Sequence, residues 1–178
     1  MKKIILFLFL FLSSNSYAGL EQMPINKNDL RNLIEITLKN IDLYSDSAVE
    51  LLMGTAAQET HLGQAGLVQR GGGPAKGIFQ MEPITEKDLW DRIIKKRPML
   101  ESKIIRTCKV NGPNELHMTG NIVYQIIMTR IKYWIIPKKL PDSGDVKGMA
   151  KYWKDYYNTY LGKGKPEEFI HNYKKYCM

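Results

Sequence analysis

Apolar residues recur at helical spacing through most of the chain. In NKNDLRNLIEITLKNI, residues 26–41, Leu30, Leu33, Ile34, Leu38 and Ile41 share one face, and Asn28 or Asp29 can cap the start. SDSAVELLMGTAAQ follows, with Ser47 and Glu50 spaced as a capping box and a helix expected to run to about Gln58 or Glu59. The pattern then breaks. GQAGLVQRGGGPAKGIFQMEP, residues 63–83, holds six glycines and two prolines and reads as a loop, or a loop with a short hairpin. Thr85 opens a third helix, with Asp88 three residues on and Leu89, Trp90, Ile93 and Ile94 facing inward; Pro98 punctuates it, and a short helix follows through Ile105. GNIVYQIIMTRIKYWII is apolar around most of its circumference, which predicts a central buried helix ended by Pro137. Asp145 starts another, with Val146, Met149, Ala150, Trp153, Tyr157 and Tyr160 at helical spacing and a stop near Gly162. The last, PEEFIHNYKKY, has proline in its first turn, acids early and lysines late, as the helix dipole prefers. No alternating strand pattern, internal repeat or low-complexity tract appears. The pattern predicts one mainly α domain of six or seven helices.

The first eighteen residues stand apart from that domain. MKKIILFLFLFLSSNSYA has two lysines, an apolar run from Ile4 to Leu12, a polar stretch, and small residues at Ser16 and Ala18. This is the order of a secretory signal cleaved after Ala18, leaving residues 19–178 as the exported domain. The alternative is an uncleaved anchor, but the apolar run falls well short of the roughly 20 residues that span a bilayer. With no cysteine near the cleavage site, lipoprotein anchoring is disfavoured. The expected location is the periplasm or cell envelope, without stable membrane insertion once the signal is removed.

Charge narrows the partners only a little. The chain carries 26 basic and 18 acidic residues, net +8; removing Lys2 and Lys3 with the signal leaves 24 against 18, net +6. A basic exported protein is drawn to polyanions: cell-wall polymers, membrane surfaces or released nucleic acid. No arginine–aromatic motif favours nucleic acid. Cys108 and Cys177 permit one disulfide in an oxidising compartment; two separate thiols fit the sequence equally well. His61, His117 and His171 stand alone, there is no CxxC, and QETH is not an HExxH helix, so neither a metal nor a cofactor site is read from the chain.

Glu59 is the residue with candidate chemistry. It ends the second helix, where the negative pole disfavours an ionised carboxylate. No lysine or arginine lies between Lys39 and Arg70, and Met53, Ala56 and Ala57 make its turn small and apolar. Each of these conditions pushes a carboxyl pKa upward. A glutamic acid still protonated near neutrality can serve as a general acid toward an alkoxide leaving group. A helix-end glutamate facing water is the plain alternative.

Eighteen residues on stands GIFQM, Gly77 to Met81, preceded by GGGPAK: an amide between large apolar residues, suited to a cleft wall. With ETHLG and GIFQMEP in this order and spacing, the chain resembles the soluble-type lytic transglycosylases (the SLT domain, its phage-like branch included) and the related goose-type lysozymes. Their pattern is a glutamate ending a helix, then serine, then Gly-Leu-Met-Gln after a loop. Thr60 stands here for the serine and Ile78-Phe79 for leucine-methionine. The likeness covers about residues 45–90. Further on, Asn121-Ile122 and Tyr124 match the family's asparagine, isoleucine and aromatic position but lack its glycine. Tyr157-Asn158-Thr159 stands where the family has Ala-Tyr-Asn-Ala-Gly, with glycine delayed to Gly162.

The resemblance implies a lysozyme-like fold and peptidoglycan glycan strands as substrate. It implies that Glu59 acts alone: it protonates the glycosidic oxygen after a muramic acid unit, then takes the proton of that sugar's C6 hydroxyl as a 1,6-anhydro ring closes. Intramolecular attack removes the need for the second carboxylate that many glycosidases use. Thr60 would steady the acid, and Gln80 would contact the sugar or its N-acetyl group. Met81, Tyr124, Tyr157 and Asn158 complete the expected substrate contacts. Trp153, Tyr156, Tyr157 and Tyr160 fit either helix packing or sugar stacking. Two other functions fit the same residues: a hydrolytic lysozyme or endolysin, with Glu82 the nearest candidate base, and a catalytically silent wall-binding protein.

Overall fold

The computed structural model describes residues 25–69, 71–160 and 162–178; the expected signal segment lies outside the described residues. The protein is mainly helical, with eight α-helices and no strand longer than a single bridge among the described residues. They are α1 Lys27–Asn40, α2 Asp46–Thr60, α3 Pro83–Leu89, α4 Pro98–Cys108, α5 Glu115–Gly120, α6 Ile122–Trp134, α7 Val146–Trp153 and α8 Pro166–Cys177. Helix α3 runs on into a π-helical turn at Trp90–Ile94, and α7 into another at Lys154–Asn158.

Helices α2 and α6 form the centre. Helix α2 is buried along nearly its whole length, from Ala48 and Val49 to Ala57, and α6 buries an unbroken run from Tyr124 to Ile131. Helix α8 packs along α2, and α1 against α6. Close approach of α8 depends on Gly54, where an added Cβ would stand 2.3 Å from the Phe169 ring. A larger residue there would force the helices apart.

Several helix starts differ from expectation, and each difference has a local cause. The side chain of Asn26, not Asn28 or Asp29, caps α1 by accepting from the Asn28 amide. Helix α2 is capped by Ser45, which accepts from the Ala48 amide at 3.1 Å, so Ser47 lies inside the first turn. Glu50 is thereby freed from a capping box and accepts from the Gly144 amide at 2.7 Å. Helix α3 starts at Pro83, whose missing N–H costs nothing in a first turn. Helix α5, which the apolar pattern did not predict, is capped by Asn114. Asp145 caps α7 as expected. Tyr160, expected on the inner face, is 88 % exposed, because the helix has ended before it.

Cys108 and Cys177 are not bonded to each other: the first donates to the Ile104 carbonyl and the second to the Met53 carbonyl. No helix of the described residues is long and apolar enough to cross a membrane.

Candidate active site

Glu59 lies in the last turn of α2. The chain then turns sharply through His61 and Leu62, both in the left-handed region at φ 54° and 57°, a conformation that costs an L-residue about 1–2 kcal/mol. Burial of Leu62 and stacking of His61 on Tyr176, 4.8 Å between ring centres, hold this turn in place. The last turn of α2 carries no basic residue.

The loop after the turn is folded back against the helix end. Lys76 and Met81 pair in both directions, Lys76 N–H to Met81 O at 3.0 Å and Met81 N–H to Lys76 O at 3.1 Å, closing a tight reversal over Gly77–Gln80. Three side chains pin it. Thr60 Oγ1 donates to Ile78 O at 2.7 Å and accepts from the Gly63 amide at 3.1 Å. Gln125 Oε1 of α6 accepts from the Ile78 amide at 2.8 Å. The Tyr157 hydroxyl donates to Phe79 O at 2.8 Å. Gly77 makes the reversal possible: its φ is 72°, and a Cβ there would stand 2.4 Å from both Met118 O and Gln125 Oε1.

Between this loop, the end of α2 and the π-helical turn after α7 lies a cleft of about 920 Å³. Such a volume lies at the upper end of the range for ligand pockets. Glu59 and Glu82 are the carboxylates lining it, and Lys132 and Lys163 the lysines. Glu59 is half-buried. Its Oε1 accepts a 2.9 Å hydrogen bond from the Trp153 indole N–H. Loss of water pushes its carboxyl up to about 7; the indole hydrogen bond and the charge of Lys132 pull the other way but are outweighed. Among the described residues no lysine or arginine forms an ion pair with it. The carboxyl therefore has the two properties a general acid requires: a proton held near neutral pH, and access to a groove.

The other residues singled out from the sequence divide into two groups. Gln80, Tyr157 and Asn158 line the cleft with Glu59. Gln80 is held at φ 46° with its side-chain amide donating to Gly77 O at 2.9 Å. Asn158 accepts from Lys154 at 2.7 Å. Thr60 borders the cleft but is 1 % exposed, so it acts as a strut between helix and loop rather than as a surface for substrate. Met81 and Tyr124, expected at the substrate, lie in the core and do not line the cleft. The Tyr124 hydroxyl donates to Glu86 and accepts from the Trp90 indole at 2.7 Å, a buried cluster at the far side of α6.

Comparison with known families, curated proteins and solved structures finds no match. The site is therefore read on its own chemistry. Two roles in it were not legible in the sequence, although Trp153 was singled out there for packing or stacking. Trp153 is a hydrogen-bond donor to the acid as well as a packed ring, 5.6 Å from Phe169. Lys132 reaches the cleft from α6, and its one sequence signal is a lysine beside Arg130 in a helical run that is mostly apolar.

Proposed function

We propose that this protein is an exported peptidoglycan lytic transglycosylase with Glu59 as its catalytic acid. The observation that carries the reading is a carboxyl at a helix end, its proton affinity raised to about pH 7 by burial, open to a cleft large enough for a glycan strand. Resemblance of ETHLG and GIFQMEP to the soluble-type transglycosylases supplies the substrate class. In this scheme the Glu59 carboxyl gives its proton to the oxygen linking a muramic acid unit to the next amino sugar. The C1–O bond breaks, and the departing sugar leaves as an alcohol. The C6 hydroxyl of the same muramic unit closes on C1, and the Glu59 carboxylate accepts the hydroxyl proton. The acid is thus restored, and the product carries a 1,6-anhydro ring. No water is consumed.

Gln80 brings the Gly77–Gln80 reversal to the groove, where its side chain would meet polar sugar substituents. The positive charge of the chain would hold it on the anionic wall.

The experiment is digestion of purified sacculi by residues 19–178, followed by mass analysis of the released fragments. Anhydro ends are expected; reducing ends, heavier by one water, would show hydrolysis. Glu82 favours that second reading enough to name it, because it lines the same cleft and could activate water. Glu59→Gln is expected to lower release at least about 100-fold while leaving binding to sacculi intact. Undiminished release by this variant would overturn the assignment of the acid. Binding without any release by the unaltered protein would mark it as a wall-binding protein.

A further inference from the structure

Among the described residues Lys132 is a cation whose charge reaches the acid, and its placement is specific. It projects from the last turns of α6 into the cleft that holds Glu59. One of its N–H groups donates to the Tyr157 carbonyl at 3.1 Å, and its ammonium sits 3.7 Å above the centre of the Tyr157 ring. Both anchors come from the π-helical turn that ends α7, where terminal carbonyls have no helical partner and can serve an outside donor. Tyr157 is fixed in turn by its hydroxyl on Phe79. The ammonium is therefore held at a set position rather than swinging on a free stem, and it stays short of an ion pair with Glu59.

We propose that Lys132 is a positioning residue for the catalytic acid: its fixed positive charge stabilises the carboxylate left when Glu59 hands over its proton, without neutralising the acid beforehand. A direct ion pair would hold Glu59 ionised near neutrality; no cation at all would leave the conjugate base in a half-buried site with the Trp153 indole as its support. A charge displaced by one shell serves both states. The ammonium is itself weakened by burial, with its pKa lowered to about 8 despite the opposing pull of Glu59 and Glu82. The charge is thus largely present at the midpoint of Glu59 and is lost on the alkaline side of it. The groups facing the pair are Glu82 before α3, Tyr133 on α6, the Trp153 indole on α7, Tyr157 on the following turn, and Lys163 beyond it. Tyr133 and Tyr157 have their hydroxyl pKa values raised by burial, so neither contributes charge near neutrality.

The inference rests on reading Glu59 as a general acid, and its test separates the two claims. The Glu59 carboxyl carbon is followed by NMR through a pH titration, with no substrate present. Lys132→Gln, which can keep the hydrogen bond to Tyr157, and Lys132→Met, which fills the apolar space, are each expected to raise the Glu59 midpoint by about half a unit or more. Lys132→Arg is expected to restore it. On sacculi, the alkaline limb of the rate profile should move with the same variants. An unmoved midpoint in the folded Gln variant overturns the proposal, whatever the activity. If Lys132→Met does not fold, the Gln variant alone decides. A moved midpoint with no wall cleavage by the unaltered protein would uphold the coupling and sink the proposed function instead.

Discussion

The proton affinity of Glu59 is linked to the stability of the whole protein. Its carboxyl titrates at about 7 when folded, against an ordinary 4.5. Between those values the native state keeps a proton that the unfolded chain has released, so stability falls as pH rises through that window. The full penalty is present above pH 7 and absent below about pH 4. Discounted for its partial exposure, it amounts to about 1–3 kcal/mol. Glu59→Gln removes the charge and keeps an acceptor for Trp153. The variant is expected to be more stable than the parent by that amount at pH 8 and unchanged at pH 4, as read by urea unfolding. A gain that is the same at both pH values would mean that the carboxyl titrates as an ordinary one. Glu59 was legible in the sequence because of what its surroundings lacked, a local cation, and because Met53, Ala56 and Ala57 make its turn small and apolar. Lys132 and Trp153 were not, because each meets Glu59 only through tertiary packing. Tyr124 was misplaced for a related reason. A tyrosine on a helix that is apolar all round carries no mark of which side it faces.

At the scale of elements, the site depends on how the Gly77–Gln80 reversal is locked to α2, α6 and the turn after α7. Gly77 is its weakest point against substitution, since its φ of 72° and the carbonyl of Met118 both exclude a side chain. Gly77→Ala is expected to cost about 2–4 kcal/mol, lowering Tm by about 5–15 °C. Gly72→Ala is the matched control: φ is 80°, but nothing among the described residues lies within 4 Å, so backbone strain of about 1 kcal/mol is the whole cost. Calorimetry giving equal losses for the two would mean that the packing around Gly77 is not what holds the loop. Long amphipathic helices such as α1 and α8 were readable from spacing alone. Boundaries were not, because Ser45 and Ser47, or Asn26 and Asn28, are chemically equal caps until the preceding chain is placed. Helix α5 has only six residues and two apolar side chains, Leu116 and Met118, too few to show a period. The helical spacing was read two residues too far: the π-helical turn ends at Asn158 and Thr159 leaves the helix at φ 65°, so Tyr160 was expected inside and stands outside.

Across the whole molecule, the acid is governed from the far end of the chain. Phe169 of α8 packs against Trp153, and the same ring fills the space left open at Gly54, one helix turn and a little more before Glu59. The donor to the carboxyl is therefore braced by a segment that lies more than a hundred residues after Glu59 along the chain. A chain stopped at Lys165 is expected to lose the raised titration of Glu59, with a midpoint returning toward the ordinary carboxyl range in the same NMR measurement. A truncated chain still titrating at about 7 would show that α7 holds the indole unaided. Ribosomes make proteins from the N-terminus, so the growing polypeptide carries an ordinary glutamate for most of its synthesis. The raised proton affinity would then arrive only with the closing of α8, as a built-in delay between making α2 and arming the carboxyl at its end.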